Sequence, residues 1–87
     1  MTVGQLIRRR RQNLGWSQRV LAERTGLPRS LVNKIENGRV QIGRDRMRYF
    51  ANVPELGLTV DQLWLLRLLE EKRRLEAEIN EIEGSAA

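Results

Sequence analysis

Arg29, Ser30 and Asn33 stand close together in the stretch "TGLPRSLVNKIENGR", residues 25–39. Their side chains can do one kind of chemistry together. A guanidinium can donate to guanine O6 and N7 at once, and a carboxamide can pair with adenine N6 and N7. Nothing about the residue types alone separates this from an ordinary solvated helix face. What the stretch lacks is also informative. Of its four aliphatics, Val32 and Ile35 are read as the packing edge of a short helix, and the polar rest of that helix stays free.

Other chemistries are poorly supplied. There is no cysteine and no histidine, which removes disulfides, zinc sites and the common triads and dyads. No nucleophile–base pair, phosphate loop or metal cluster is spelled out, so the chain does not read as an enzyme and no cofactor or small-molecule ligand is expected. No apolar run reaches the ~20 residues a bilayer requires. The opening "MTVGQLIRRRRQ" has no following apolar h-region. The reading is a soluble cytoplasmic protein with no membrane partner.

Charge is unevenly placed. Residues 1–52 carry twelve Lys/Arg against three Asp/Glu, a balance of +9. Residues 53–87 carry four against eight, a balance of −4, and the whole chain is +5. A basic front suits a polyanion such as nucleic acid, and an acidic tail suggests a second task. A solvated surface kept soluble by charge is the plainer alternative.

The elements that must position these residues are helical. Thr2 and Gln5 spell a capping box, and Val3, Leu6, Ile7 and Leu14 fall on one face of a first helix stopped by Gly15. Ser17 caps a second helix, "SQRVLAERT", with Leu21, Ala22 and Thr25 inward and Gly26 at its end. A third helix starts at Pro28 or Arg29 and runs to Asn37, with Gly38 as terminator. The loop "GRVQIG" leads to a fourth over about 44–53, with Met47, Phe50 and Ala51 inward, interrupted by Pro54. Thr59 begins a second capping-box spelling, and nothing breaks the last helix before Glu83; the final "GSAA" reads as frayed. Two short helices joined by a tight turn containing glycine match a helix-turn-helix.

Gly15, Ser17-Gln18, Leu21-Ala22, Gly26, Ser30, Val32, Ile35-Glu36 and Asn37-Gly38 carry a more specific likeness. In register, "LGWSQRVLAERTGLPRSLVNKIENGR" resembles the helix-turn-helix of the Cro/C1-type (XRE) regulators of phage and bacteria, and "ELGLTVDQL" looks like their last core segment. The resemblance covers about residues 3–66. It implies an all-α, compact five-helix, lambda-repressor-like DNA-binding domain over 1–66, here followed by an extended C-terminal helix over 67–87. It implies a transcriptional regulator, a repressor by family habit, bound as a dimer to a two-fold operator with the helix at 29–37 in the major groove. The protein would then be bacterial or phage-encoded and at the nucleoid when bound.

Arg29, Ser30 and Asn33 fall where the family reads base edges. Gln18 falls where it contacts phosphate and braces a reading side chain. Lys34, Asn37, Arg39 and Arg44 are further phosphate or groove candidates, and Arg44 matches a position placed near the minor groove in some phage repressors. Glu36 is paired by the resemblance with Arg11 as a partly buried ion pair. Leu31 has two readings, a thymine methyl contact or packing against a neighbouring helix. The chain departs from the family in having two extra residues between Ala51 and Leu63, Pro54 among them, and in Val20 and Leu31 at positions that are usually polar.

The tail has its own pattern. With Leu65 at heptad position a, Leu68, Leu75 and Ile82 fall at d, and Lys72 and Ile79 at a. Glu71 and Glu78 fall at g and Glu76 and Glu83 at e, which pairs glutamates in a parallel dimer and gains nothing in an antiparallel one. Leu65, Leu66, Leu69 and Trp64 have a competing place on the domain itself. Thr59 to Ile82 spans roughly 35 Å as helix, so Ile79 and Ile82 lie beyond a small domain's reach. A homodimer through Leu65, Leu68, Leu75, Ile79 and Ile82 is expected, with a tetramer as the larger assembly. An adaptor or antitoxin-like partner acting through the acidic tail, and a non-specific nucleic-acid packager, are the competing functions.

Overall fold

The computed structural model describes residues 1–86. Five helices follow in chain order: α1 (Val3–Asn13), α2 (Gln18–Thr25), α3 (Arg29–Glu36), α4 (Arg44–Ala51) and α5 (Val60–Ala86), with a short 3-10 turn at Pro54–Leu56 before the last. The described residues contain no strand. Each start has a local cause. Thr2 Oγ1 accepts from Gln5 N at 3.1 Å while Thr2 N donates to Gln5 Oε1 at 2.9 Å, so the capping box closes in both directions. Ser17 Oγ accepts from Val20 N at 3.2 Å, and Thr59 Oγ1 from Gln62 N at 3.0 Å. Pro28 stands just before α3 and supplies its carbonyl to the first turn. Gly26 at φ 80° terminates α2 in the left-handed region that side-chain-bearing residues avoid.

The inward stripes meet in one core. Ile7, Leu21, Val32, Met47, Phe50 and Leu63 are all completely buried. Eight-residue helices such as α2 and α3 would be marginal alone, and burial of this shared face is what holds them. Val53 and Leu56, on either side of Pro54, also turn inward. The proline therefore bends the chain without opening the core.

Four details differ from the sequence reading. Leu14 is 38% exposed rather than inward. It stands beyond the end of α1, past the level at which Arg10 and Arg11 reach Leu56 O and Glu36. The fourth helix ends at Ala51 instead of Val53, because Val53 takes the extended conformation that a following proline imposes. Ala51 is only half-buried, and Ile42, in the loop before α4, fills the core instead. The helix also continues through Gly84 and Ser85 to Ala86, where Ser85 Oγ donates to Glu81 O at 2.9 Å; Ala87 lies outside the described residues.

Close approach of α1 to α3 depends on one glycine. A Cβ at Gly4 would run into the carbonyl oxygen of Ile35 and come within 3.0 Å of that of Glu36. Helix α5 crosses the start of α1 and stays on the bundle as far as Glu70. Arg67 Nη1 donates to Ile42 O at 3.0 Å, and Glu70 Oε1 accepts from Val3 N at 2.9 Å. Beyond that point it projects, giving the molecule extents of 52 × 22 × 22 Å. Trp64 and Leu66 pack on the core, while Leu65 is 57% exposed. No helix of the described residues is long and apolar enough to cross a membrane.

Candidate nucleic-acid interface

Helices α2 and α3 are joined by Gly26, Leu27 and Pro28. Thr25 is buried at this turn, with Oγ1 donating to Leu21 O at 2.9 Å and accepting from Leu27 N at 3.3 Å. The turn is thus stitched from inside, and Leu27 and Leu31 pack against the core. For Leu31, packing is the contact found. With Val32 and Ile35 buried, α3 presents Arg29, Ser30 and Lys34 as exposed residues and Asn33 as a half-buried one.

Behind that exposed face lies a closed ring of side-chain hydrogen bonds. Gln18 Nε2 donates to Glu36 Oε1 at 3.1 Å. Asn33 Nδ2 donates to Gln18 Oε1 at 3.2 Å, and Asn37 Nδ2 to Asn33 Oδ1 at 3.2 Å. Arg8 closes the circuit, donating Nη2 to Asn37 Oδ1 at 2.6 Å and Nε to Glu36 Oε1 at 3.4 Å. The ring takes members from α1, α2 and α3, so it fixes the three helices to one another as well as orienting its own groups.

Glu36 anchors the ring. Its side chain is fully buried, and Arg11 grips both its oxygens with one edge of the guanidinium, Nε to Oε2 at 2.8 Å and Nη2 to Oε1 at 2.9 Å. Arg11 also donates Nη1 to Trp16 O at 2.8 Å, which ties in the turn before α2. Burial alone pushes the Glu36 carboxyl pKa upward. The hydrogen bonds from Arg11 and Gln18, the Arg11 charge and the Arg8 bond outweigh it, and the pKa lies below its ordinary value. Glu36 is therefore a neutralised anion, and α3 does not present a bare negative charge on its polar face.

Asn33 has capacity left. A carboxamide carries two N–H groups and an oxygen with two lone pairs. The ring uses one of each, which leaves a donor and an acceptor together, the pair that adenine N6 and N7 require. Arg29 stands one helical turn before Asn33 and is exposed.

Arg39 and Arg44 are exposed and lie outside the ring. Arg44, at the start of α4, has its guanidinium 4.9 Å from the centre of the Trp64 ring, and Arg67 lies 5.2 Å from the same ring. Stacking on an aromatic holds a cation in place while leaving its N–H groups available. Arg8 and Gly4 escaped the sequence reading. The signal for Arg8 was present in its spacing, since it precedes Arg11 by three residues and shares its face. No local pattern marks Gly4, because its neighbour comes from α3.

Comparison with known proteins supports the same part of the chain. The sequence model of the helix-turn-helix domain family matches residues 2–66. No curated protein and no solved structure matches the chain. A helical bundle in which a capped α2, a glycine turn and a polar-faced α3 occupy the matched segment carries DNA as its partner, and the chain belongs to the helix-turn-helix domain family.

Proposed function

We propose that the protein is a sequence-specific transcriptional regulator of the Cro/C1 type, acting as a repressor, with residues 1–66 as its DNA-binding domain and residues 67–87 as its assembly segment. Helix α3 enters the major groove. Arg29 and Asn33 read base edges, with Ser30 beside them. Gln18, Lys34, Asn37, Arg39 and Arg44 hold the phosphates and groove walls. The observation that carries this reading is the ring of Gln18, Asn33, Asn37, Arg8 and Glu36. A polar side chain kept in one orientation by bonded neighbours, with one donor and one acceptor still free, is suited to telling one base pair from another. The protein binds as a dimer, and its two copies address a two-fold operator at half-sites about one helical turn apart.

The test begins with selection of a site from a randomised duplex pool, followed by fluorescence anisotropy on that site and on scrambled DNA across a salt series. Specific binding at least 10³-fold tighter than to scrambled DNA supports the reading. Steep salt dependence with almost no ratio would show a packager instead. Arg29→Ala is expected to cost about 1–3 kcal/mol on the selected site and much less on scrambled DNA, relaxing preference at one position. Arg44→Ala is expected to behave differently. It weakens both duplexes alike and lowers the salt slope by about one, because it removes a phosphate contact and no base contact.

The exposed Leu75, Ile79 and Ile82 favour a second reading, in which the tail docks a different protein. Self-association is preferred because the bare face has a regular seam that a second copy would match.

A further inference from the structure

Past Glu70, α5 leaves the bundle with one side uncovered. Leu65, Leu68, Leu75, Ile79 and Ile82 are all exposed and follow three-four spacing, broken only by Lys72. The acidic residues beyond it are placed oddly. After Arg74 the helix carries Glu76, Glu78, Glu81 and Glu83 and no basic residue. Carboxylates near a helix C-terminus oppose its dipole, so this end asks for positive surroundings that its own chain does not supply.

Resting on the reading of the protein as a dimer, we infer that the second copy pairs with α5 antiparallel, with the two-fold axis between residues 73 and 74. Leu65 then meets Ile82 of the second copy, Leu68 meets Ile79, and Lys72 meets Leu75. Every apolar residue of the seam has an apolar partner or the stem of Lys72. The Lys72 ammonium stays beside Glu76 of its own helix, which lies 3.8 Å away. A parallel pair in register stacks Lys72 on Lys72 in the seam, which lowers stability.

Charge separates the two orientations at the acidic ends. In a parallel pair the two acidic ends lie side by side, and Glu71 faces Glu76 and Glu78 faces Glu83 across the interface. Like charges so arranged repel. In the antiparallel pair residues 76–83 run along residues 64–71 of the other α5, which hold Arg67 with Glu70 and Glu71, and lead toward a bundle whose first 52 residues balance at +9. One kind of like-charge contact, Glu71 with Glu78, remains, made twice by the two-fold axis. The bundles sit at opposite ends of the paired helices, with their Leu63 residues roughly 30 Å apart along the axis at 1.5 Å per residue.

The chain has no cysteine, so single cysteines report orientation cleanly. Leu68→Cys and Ile79→Cys are made separately in the full chain, and sedimentation equilibrium first establishes the mass of each. Each variant is then oxidised alone, and also after mixing in equal amounts under reducing conditions. The expected result is a covalent dimer from the mixture, linking position 68 to position 79, and none from either variant alone. In the antiparallel pair position 79 lies roughly 16 Å from its own counterpart along the axis, too far for a disulfide. Covalent dimers from the single variants would establish parallel pairing and overturn the inference. Dimeric mass with no link in any sample would overturn it too, while leaving the dimer intact. Monomeric mass would remove the dimer reading itself.

Discussion

Glu36→Ala is expected to lower the thermal midpoint by on the order of 15–30 °C. The carboxylate is fully buried and accepts from Arg11, Arg8 and Gln18 together. Removing one partner of a buried pair leaves an uncompensated charge, at a cost of about 3–5 kcal/mol. In a domain of this size each kcal/mol moves the midpoint by roughly 4–8 °C. The loss also opens the hydrogen-bond ring, since Gln18 and Arg8 both end on Glu36. DNA discrimination should therefore fall even at temperatures where the variant is folded. Thermal unfolding followed by circular dichroism measures the first effect, and anisotropy at low temperature the second. An unchanged midpoint would remove the ion pair as a structural anchor.

The same residue sets an acid limit. Its pKa in the folded protein lies below the ordinary 4.5, so the unfolded chain binds the proton more readily. Stability from this group is fully present above the ordinary value and is lost as pH falls through the lower, folded one. Stability of the wild type should thus decline below about pH 4.5 more steeply than that of Glu36→Gln, which has no proton to gain. Urea unfolding at several pH values checks this. Parallel curves for the two proteins would show that Glu36 titrates alike in both states.

Gly4→Ala is expected to cost about 2–3 kcal/mol, although alanine is the better helix former. In an open helix the exchange stabilises by up to ~1 kcal/mol. At Gly4 the new methyl meets the backbone carbonyls of Ile35 and Glu36. A flexible side chain could turn aside, but these are backbone carbonyls of the last turn of α3, and Ile35 O is held by Gly38 N at 3.1 Å, so α1 and α3 must separate. Forcing an extra carbon into a packed contact costs about 1–3 kcal/mol and sometimes more. It also lengthens the bonds from Arg8 and Arg11 to α3. Gly84→Ala is the control, because a Cβ there meets nothing within 4 Å, and it should leave stability unchanged or slightly raised. Urea unfolding of both variants gives opposite signs if helix packing decides, and the same sign if propensity does.

Much of the fold was legible because its causes are local. The caps at Thr2, Ser17 and Thr59 and the glycines at 15, 26 and 38 act within a few residues of themselves. Hydrophobic spacing marked Ile7, Leu21, Val32, Met47 and Phe50 as inward, and these are fully or almost fully buried. The errors fell where the cause is distant. Leu14 has the right spacing for the core, but it caps the end of α1 and stays 38% exposed. Ile42 lies in a polar-looking loop and fills the core because α5 passes over it, with Arg67 bonded to its carbonyl.

For the interface, residue types alone determined what chemistry was available: a guanidinium and a carboxamide near each other on a short helix, and no group able to bind zinc through His or Cys. Tertiary structure decided how those groups are held. The ring that orients Asn33 joins residues up to 29 positions apart, Arg8 with Asn37, and no pattern within a single helix encodes it. Likewise, the glycine that lets α1 lie against α3 is visible only from the other helix. Local sequence specifies caps, turns and apolar stripes because backbone hydrogen bonding and side-chain spacing are short-range. The closeness of two helices, and the polar groups shared between them, arise only when burial brings distant segments together.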